Sequence, residues 1–167
     1  IKYKIMETLK DYIQTYKTQL EIGDIQKAYQ GIIKYMMNLK THFSKNYSDD
    51  YYTGHLYQGY MDISYFTFTP LSLKEQKLKI GIGFNHEKMQ FGAWLGGQNR
   101  EIQKKYWELF KDSDWNKYSI STEINESFAI VEYTLIEKPD FDNLNYLTEE
   151  IENKAMKFIN DILEVIN

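Results

Sequence analysis

The apolar residues of this chain change period near residue 46, from one every three or four positions to one every two. A chain patterned this way begins in helices and continues in strands, because the first period lines one helix face and the second one strand face. Met6, Leu9, Ile13, Tyr16 and Leu20 form one stripe of an amphipathic helix over residues 6–22. Gly23 suits a helix C-terminus and Asp24 a new N-cap. A second helix follows at once, with Ile25, Ile32/Ile33, Met36, Leu39 and Phe43 on its stripe, and the pair is expected to form an antiparallel hairpin. Residues 1–5 carry no usable pattern; Met6 is read as the native start and the residues before it as a non-native or disordered extension. Nothing recurs at a fixed period, so no repeat architecture is expected.

After a turn-rich connector (SKNYSDDYYTG), residues 54–70 alternate and are rich in β-formers. Beyond a short polar stretch at 72–76, a hairpin is expected: strand 77–84, loop 85–88, strand 89–95. Pairing Phe84 with Met89 sets Ile82 against Phe91 and Gly81 against Gly92. One side is then wholly apolar, while the other holds Lys79, Gly81, Gly83, Gly92 and Trp94. A helix follows at 98–111 (Ile102, Tyr106/Trp107, Phe110), a polar loop at 112–126, a strand at 127–136 and a turn at 139–145. Thr148 is the expected cap of a last helix with Ile151, Ala155, Phe158/Ile159 and Ile162 on its stripe. The order α-α-β-β-β-α-β-α is an α+β fold, an antiparallel meander covered by helices, in a single domain over residues 1–167.

Composition excludes several function classes. The chain has no cysteine, hence no disulfide, thiolate nucleophile or Cys-ligated metal. No apolar run approaches the roughly 20 residues of a membrane helix. Arg100 is the only arginine among 20 basic residues, and the net charge is −4. Residues 112–167 carry four basic and thirteen acidic groups, which argues against nucleic acid as a partner. No membrane partner is expected either. There is no GxGxxG or GxxxxGKS loop. His42, His55 and His86 are far apart with no HExxH spacing, so neither a metal nor a cofactor is expected.

Two features point to a site. Glycine inside a strand marks the close approach of a ligand or another element. The trio Gly81, Gly83 and Gly92 therefore lies either under a packed helix, such as 98–111, or on the floor of a shallow pocket edged by Lys79 and Trp94. The second feature is segment 47–68, which holds six of the fifteen tyrosines. On this strand Tyr60, Asp62, Ser64 and Phe66 share one face, and Met61, Ile63 and Tyr65 share the other, the expected core face. Asp62 on so apolar a strand needs a partner, and Arg100, at a helix N-terminus where a cation opposes the dipole, is the natural one. Asp62–Arg100 is then either a structural pair or part of a ligand-binding patch of Tyr60, Asp62, Ser64, Trp94 and Arg100. His42 either joins that patch or serves a structural role.

The core order α-β-β-β-α-β is shared by restriction-endonuclease-like nucleases, but the strands KLKIGIGF and MQFGAWLG lack the required carboxylates, which disfavours that chemistry. The stretches LKTHF (39–43), YQGYMDISYF (57–66), KLKIGIGFNHEKMQFGAWL (77–95), NR (99–100) and KYWELFKDSDWNKY (105–118) together resemble an uncharacterised family of small bacterial proteins, a domain of unknown function. The resemblance covers nearly the whole chain from Met6. It implies a bacterial, cytoplasmic protein and brings no activity or catalytic residue with it.

The function expected from the residues is a non-enzymatic binding module. Its aromatic strand and glycine-lined sheet face would hold a peptide, a partner protein or a small ligand. The alternative is an enzyme with a carboxylate-centred site at Asp62, His42 and Arg100, which requires those groups to converge in one pocket. A homodimer formed through the aromatics is the third arrangement considered.

Overall fold

Gly23 holds a left-handed conformation (φ +86°) and ends helix α1 (Leu9–Ile22), its amide bonding back to the Gln19 carbonyl. Helix α2 (Asp24–Asn46) starts on the next residue. A computed structural model describes residues 8–125 and 127–167; the expected start at Met6 and the segment before it lie outside the described residues. The chain divides into two compact units, residues 1–35 and 36–167. In the first, Thr8 caps α1 by accepting from the Asp11 amide at 3.3 Å. No residue of α1 is buried, so the stripe of Leu9, Ile13, Tyr16 and Leu20 faces solvent. The link between the helices is one residue, shorter than the roughly two to five of a helical hairpin.

The second unit is a six-stranded antiparallel sheet in the order β1-β2-β3-β4-β6-β5 with helices packed on it. Its strands are β1 (Tyr51–Thr53), β2 (Ile63–Pro70), β3 (Leu78–Asn85), β4 (Gln90–Gly97), β5 (Ser119–Ile120) and β6 (Val131–Ile136). Helices α3 (Leu71–Glu75), α4 (Arg100–Asp112) and α5 (Leu144–Ile166) complete it. The α+β class and the element order follow the pattern of the sequence, with short additions at β1, α3 and β5.

One sheet face is sealed. Phe66 and Phe68 of β2, Ile80, Ile82 and Phe84 of β3, and Phe91, Ala93 and Leu95 of β4 are buried together. Phe43 from the last turns of α2 packs against Phe66 and Phe68, with ring centroids 6.0 and 4.8 Å apart. Phe158 of α5 covers Tyr133 of β6. The α5 stripe expected from sequence is the buried one (Ile151, Ala155, Phe158, Ile159, Ile162), but its cap is Asn143, which accepts from the Tyr146 amide at 3.3 Å, and Thr148 lies inside the helix.

The β3–β4 register differs from the expected one by two residues: Phe84 faces Phe91, Ile82 faces Ala93 and Gly81 faces Trp94. The turn is the cause. Asn85 remains in the strand, its side chain accepts from the Lys88 amide at 2.9 Å, and Met89 takes a positive φ of 52°. An even shift keeps every side chain on its face, so the apolar side is the expected one.

Candidate functional site

The opposite face of the same strands is open. A cleft of about 780 Å³ lies over it, with Ile63, Tyr65 and Thr67 of β2, Lys79 of β3 and Trp94 of β4 on its floor. The first turn of α4 (Arg100, Glu101, Gln103, Lys104) forms one wall, and Ile124, Asn125, Ser127 and Phe128 form another.

Trp94 occupies the centre. A Cβ added to Gly81 would stand 2.2 Å from the indole Cε2, and one on Gly83 would stand 2.9 Å from Cη2. Two of the strand glycines therefore make room for the tryptophan ring to lie flat on β3, and the ring, not a packed helix, covers them. A helix does come close at Gly97, where a Cβ would stand 2.5 Å from the Gln103 amide nitrogen. Tyr65 and Phe128 meet Trp94 edge-on, at centroid distances of 5.2 and 5.4 Å, and Tyr57 extends the row beyond Tyr65 at 5.3 Å. Gln103 ties the walls together: its Oε1 accepts from the Gly97 amide at 2.6 Å and its Nε2 donates to the Ser127 carbonyl at 3.4 Å.

Of the residues singled out in the sequence, Trp94 and Arg100 line this cleft. Tyr60, Asp62, Ser64 and His42 do not. The alternation used to place Tyr60 and Asp62 stops at Ile63, because Gly59 (φ 78°) and Met61 (φ 60°) turn the chain before the strand. Tyr60 is 92% exposed. The Asp62 carboxylate accepts from the Tyr60 amide at 2.7 Å, and that bond and one to Ile63 hold it below the usual carboxylate range. Among the described residues no ion pair joins Asp62 to Arg100.

The two β2 faces are also exchanged relative to expectation. Ser64, Phe66 and Phe68 point into the core, whereas Ile63, Tyr65 and Thr67 face the cleft. Ser64 is fully buried; its hydroxyl donates to the Gln58 carbonyl, and its oxygen lies 2.8 Å from His86 Nε2. With the hydroxyl hydrogen on Gln58, Ser64 accepts from a neutral His86, whose pKa burial lowers against a smaller opposing pull from Asp62. This pair pins the 57–62 segment to the sheet and is no activated nucleophile.

His42 belongs to another cluster, with Nε2 2.5 Å from Glu152 Oε2. Tyr47 donates to the other Glu152 oxygen at 2.7 Å. Burial first, then the Glu152 hydrogen bond, pushes the Tyr47 hydroxyl up to about 12. These contacts fasten the end of α2 to α5. His42, Asp62 and Arg100 thus lie in three different surroundings, and the three do not form the one pocket in which they were expected as an alternative.

The residues that sequence reasoning missed are Tyr65, Gln103, Lys104 and Phe128. Tyr65 pairs with Gly83, and its side chain fills the space the glycine leaves, but that register comes from the structure and the sequence placed Tyr65 on the core face.

The model of a family described as a domain of unknown function (DUF7000) matches residues 9–166. The chain belongs to that family. The match runs from the first residue of α1 to the last residue of α5, so the family is defined over the whole fold as one domain and not over the cleft alone. No curated protein and no solved structure matches the chain. Among the described residues, no helix is long and apolar enough to cross a membrane, and no three metal-ligating side chains gather.

Proposed function

We propose that the protein is a non-enzymatic binding module that holds a small ligand in the cleft over Trp94. The supporting observation is the cleft itself: about 780 Å³ over an aromatic floor, with polar groups at its rim. That volume falls within the roughly 300–1,000 Å³ of small-molecule sites. Edge-on rings at Tyr65, Trp94 and Phe128 supply contact area at little entropic cost, and Gln103 holds the walls in place before anything binds. The cysteine-free composition agrees with work in the reducing cytoplasm.

Crystallographic fragment screening tests this reading. Fragments should collect over Trp94 between α4 and Phe128. Hits confined to other surfaces, with this cleft empty, would contradict it.

A further inference from the structure

We infer that the ligand taken by the cleft is an anion, a small molecule with a flat apolar body bearing one carboxylate, phosphate or sulfonate group. This rests on the reading of the cleft as a binding site and adds the charge of its occupant. Among the described residues, Lys79, Arg100 and Lys104 line the cleft against one carboxylate, Glu101, in a chain whose net charge is −4. A local excess of cations in an acidic protein attracts the opposite charge and turns away cationic molecules.

Arg100 carries the argument furthest. It is the only guanidinium of the chain, and among the described residues no ion pair engages it or Lys79. It is also the first residue of α4, where a cation works against the helix dipole. Asn99 already caps the helix by accepting from the Ile102 amide, so an anion placed there would be favoured chiefly by the guanidinium. Lys104 reaches Glu108 only at 3.9 Å, with both side chains more than half exposed, so that pair is weak and the ammonium can turn to a ligand. The apolar part has its own place: Phe128, 62% exposed and edge-on to the buried Trp94, presents its ring on the cleft wall for a flat body to pack against.

Two probes with the same rings separate charge from shape: anilinonaphthalene sulfonate and the uncharged N-phenylnaphthylamine, titrated by fluorescence. The sulfonate should bind the wild type about tenfold more tightly, the worth of one charge-assisted hydrogen bond. Arg100→Gln should remove that advantage and leave the neutral probe unchanged; the side chain is exposed, so the variant should fold, which circular dichroism checks. Phe128→Ala should weaken both probes. If Phe128→Ala weakens both but Arg100→Gln changes neither, the anion inference falls and the binding site stands. If Phe128→Ala affects neither probe, the binding-site reading falls, and the inference falls with it.

Discussion

The two faces of the sheet are built from the same strands by alternate residues, and they end differently. On the core face, phenylalanine, isoleucine and leucine from β2, β3 and β4 meet side chains of α2 and α5 and lose their exposure. On the other face, Tyr65 and Trp94 pack on glycines of their own sheet and leave a cleft above them. The difference lies in what fills the space beside the strands. Where every position carries a side chain, a helix must interdigitate with them; where Gly81 and Gly83 carry none, an indole lies flat and satisfies the sheet without a covering helix. Stability is concentrated on the first face, and the proposed binding cleft lies on the second.

The largest expected effect is on the core face. Phe66→Ala should cost about 3–5 kcal/mol in urea-induced unfolding, because its neighbours cannot collapse into the cavity. A loss under about 1 kcal/mol would show that this face is not tightly packed. On the open face, Gly81→Ala should cost about 1–3 kcal/mol, since the new Cβ must displace the indole, and the fluorescence of Trp94 should shift as its floor is lost.

Asp161 anchors the covering layer to the 117–118 segment, accepting from Lys117 at 2.9 Å, Lys157 at 2.7 Å and Tyr118 at 2.6 Å. Burial raises its carboxyl, but those bonds outweigh it and hold the folded-state pKa well below the ordinary 3.8. A depressed carboxylate stabilises the fold above its unfolded pKa, and that stability is lost as the pH falls through the folded value. Asp161→Asn should therefore cost about 1–2 kcal/mol at neutral pH, and the gap from wild type should narrow as the pH drops below 3.8. Melting curves across that range check the sign.

The smallest effect on stability is expected at Phe128, 62% exposed on the cleft wall. Phe128→Ala should change the unfolding free energy by less than about 0.5 kcal/mol while lowering affinity for an aromatic probe. A large stability loss there would erase the contrast between the faces.

The buried stripes of α5 and of the second half of α2, the apolar side of the β3–β4 hairpin and the α+β order were legible because each rests on periodicity, which survives errors of a residue or two, whereas the α1 stripe is exposed. Register was not, because it depended on whether Asn85 and Met89 belonged to the strands or to the turn. The faces of β2 were misread for a related reason: the alternation was extended back through Gly59 and Met61, whose positive φ angles break it, so Asp62 and Tyr60 fell on a strand that begins only at Ile63. The cleft was half legible. Lys79, Trp94 and Arg100 could be named, but the far wall joins Ile124 and Asn125 of the polar loop to Ser127 and Phe128, which were expected in a strand that begins only at Val131, and Phe128 reaches Trp94 only through tertiary placement.

The central claim, that the open face binds and the sealed face does not, is tested most directly by mapping amide chemical shifts during titration with anilinonaphthalene sulfonate. Shifts confined to Tyr65, Lys79, Trp94, the first turn of α4 and Phe128 are the predicted result. Shifts that leave these residues unmoved and gather on α1 or elsewhere would contradict it.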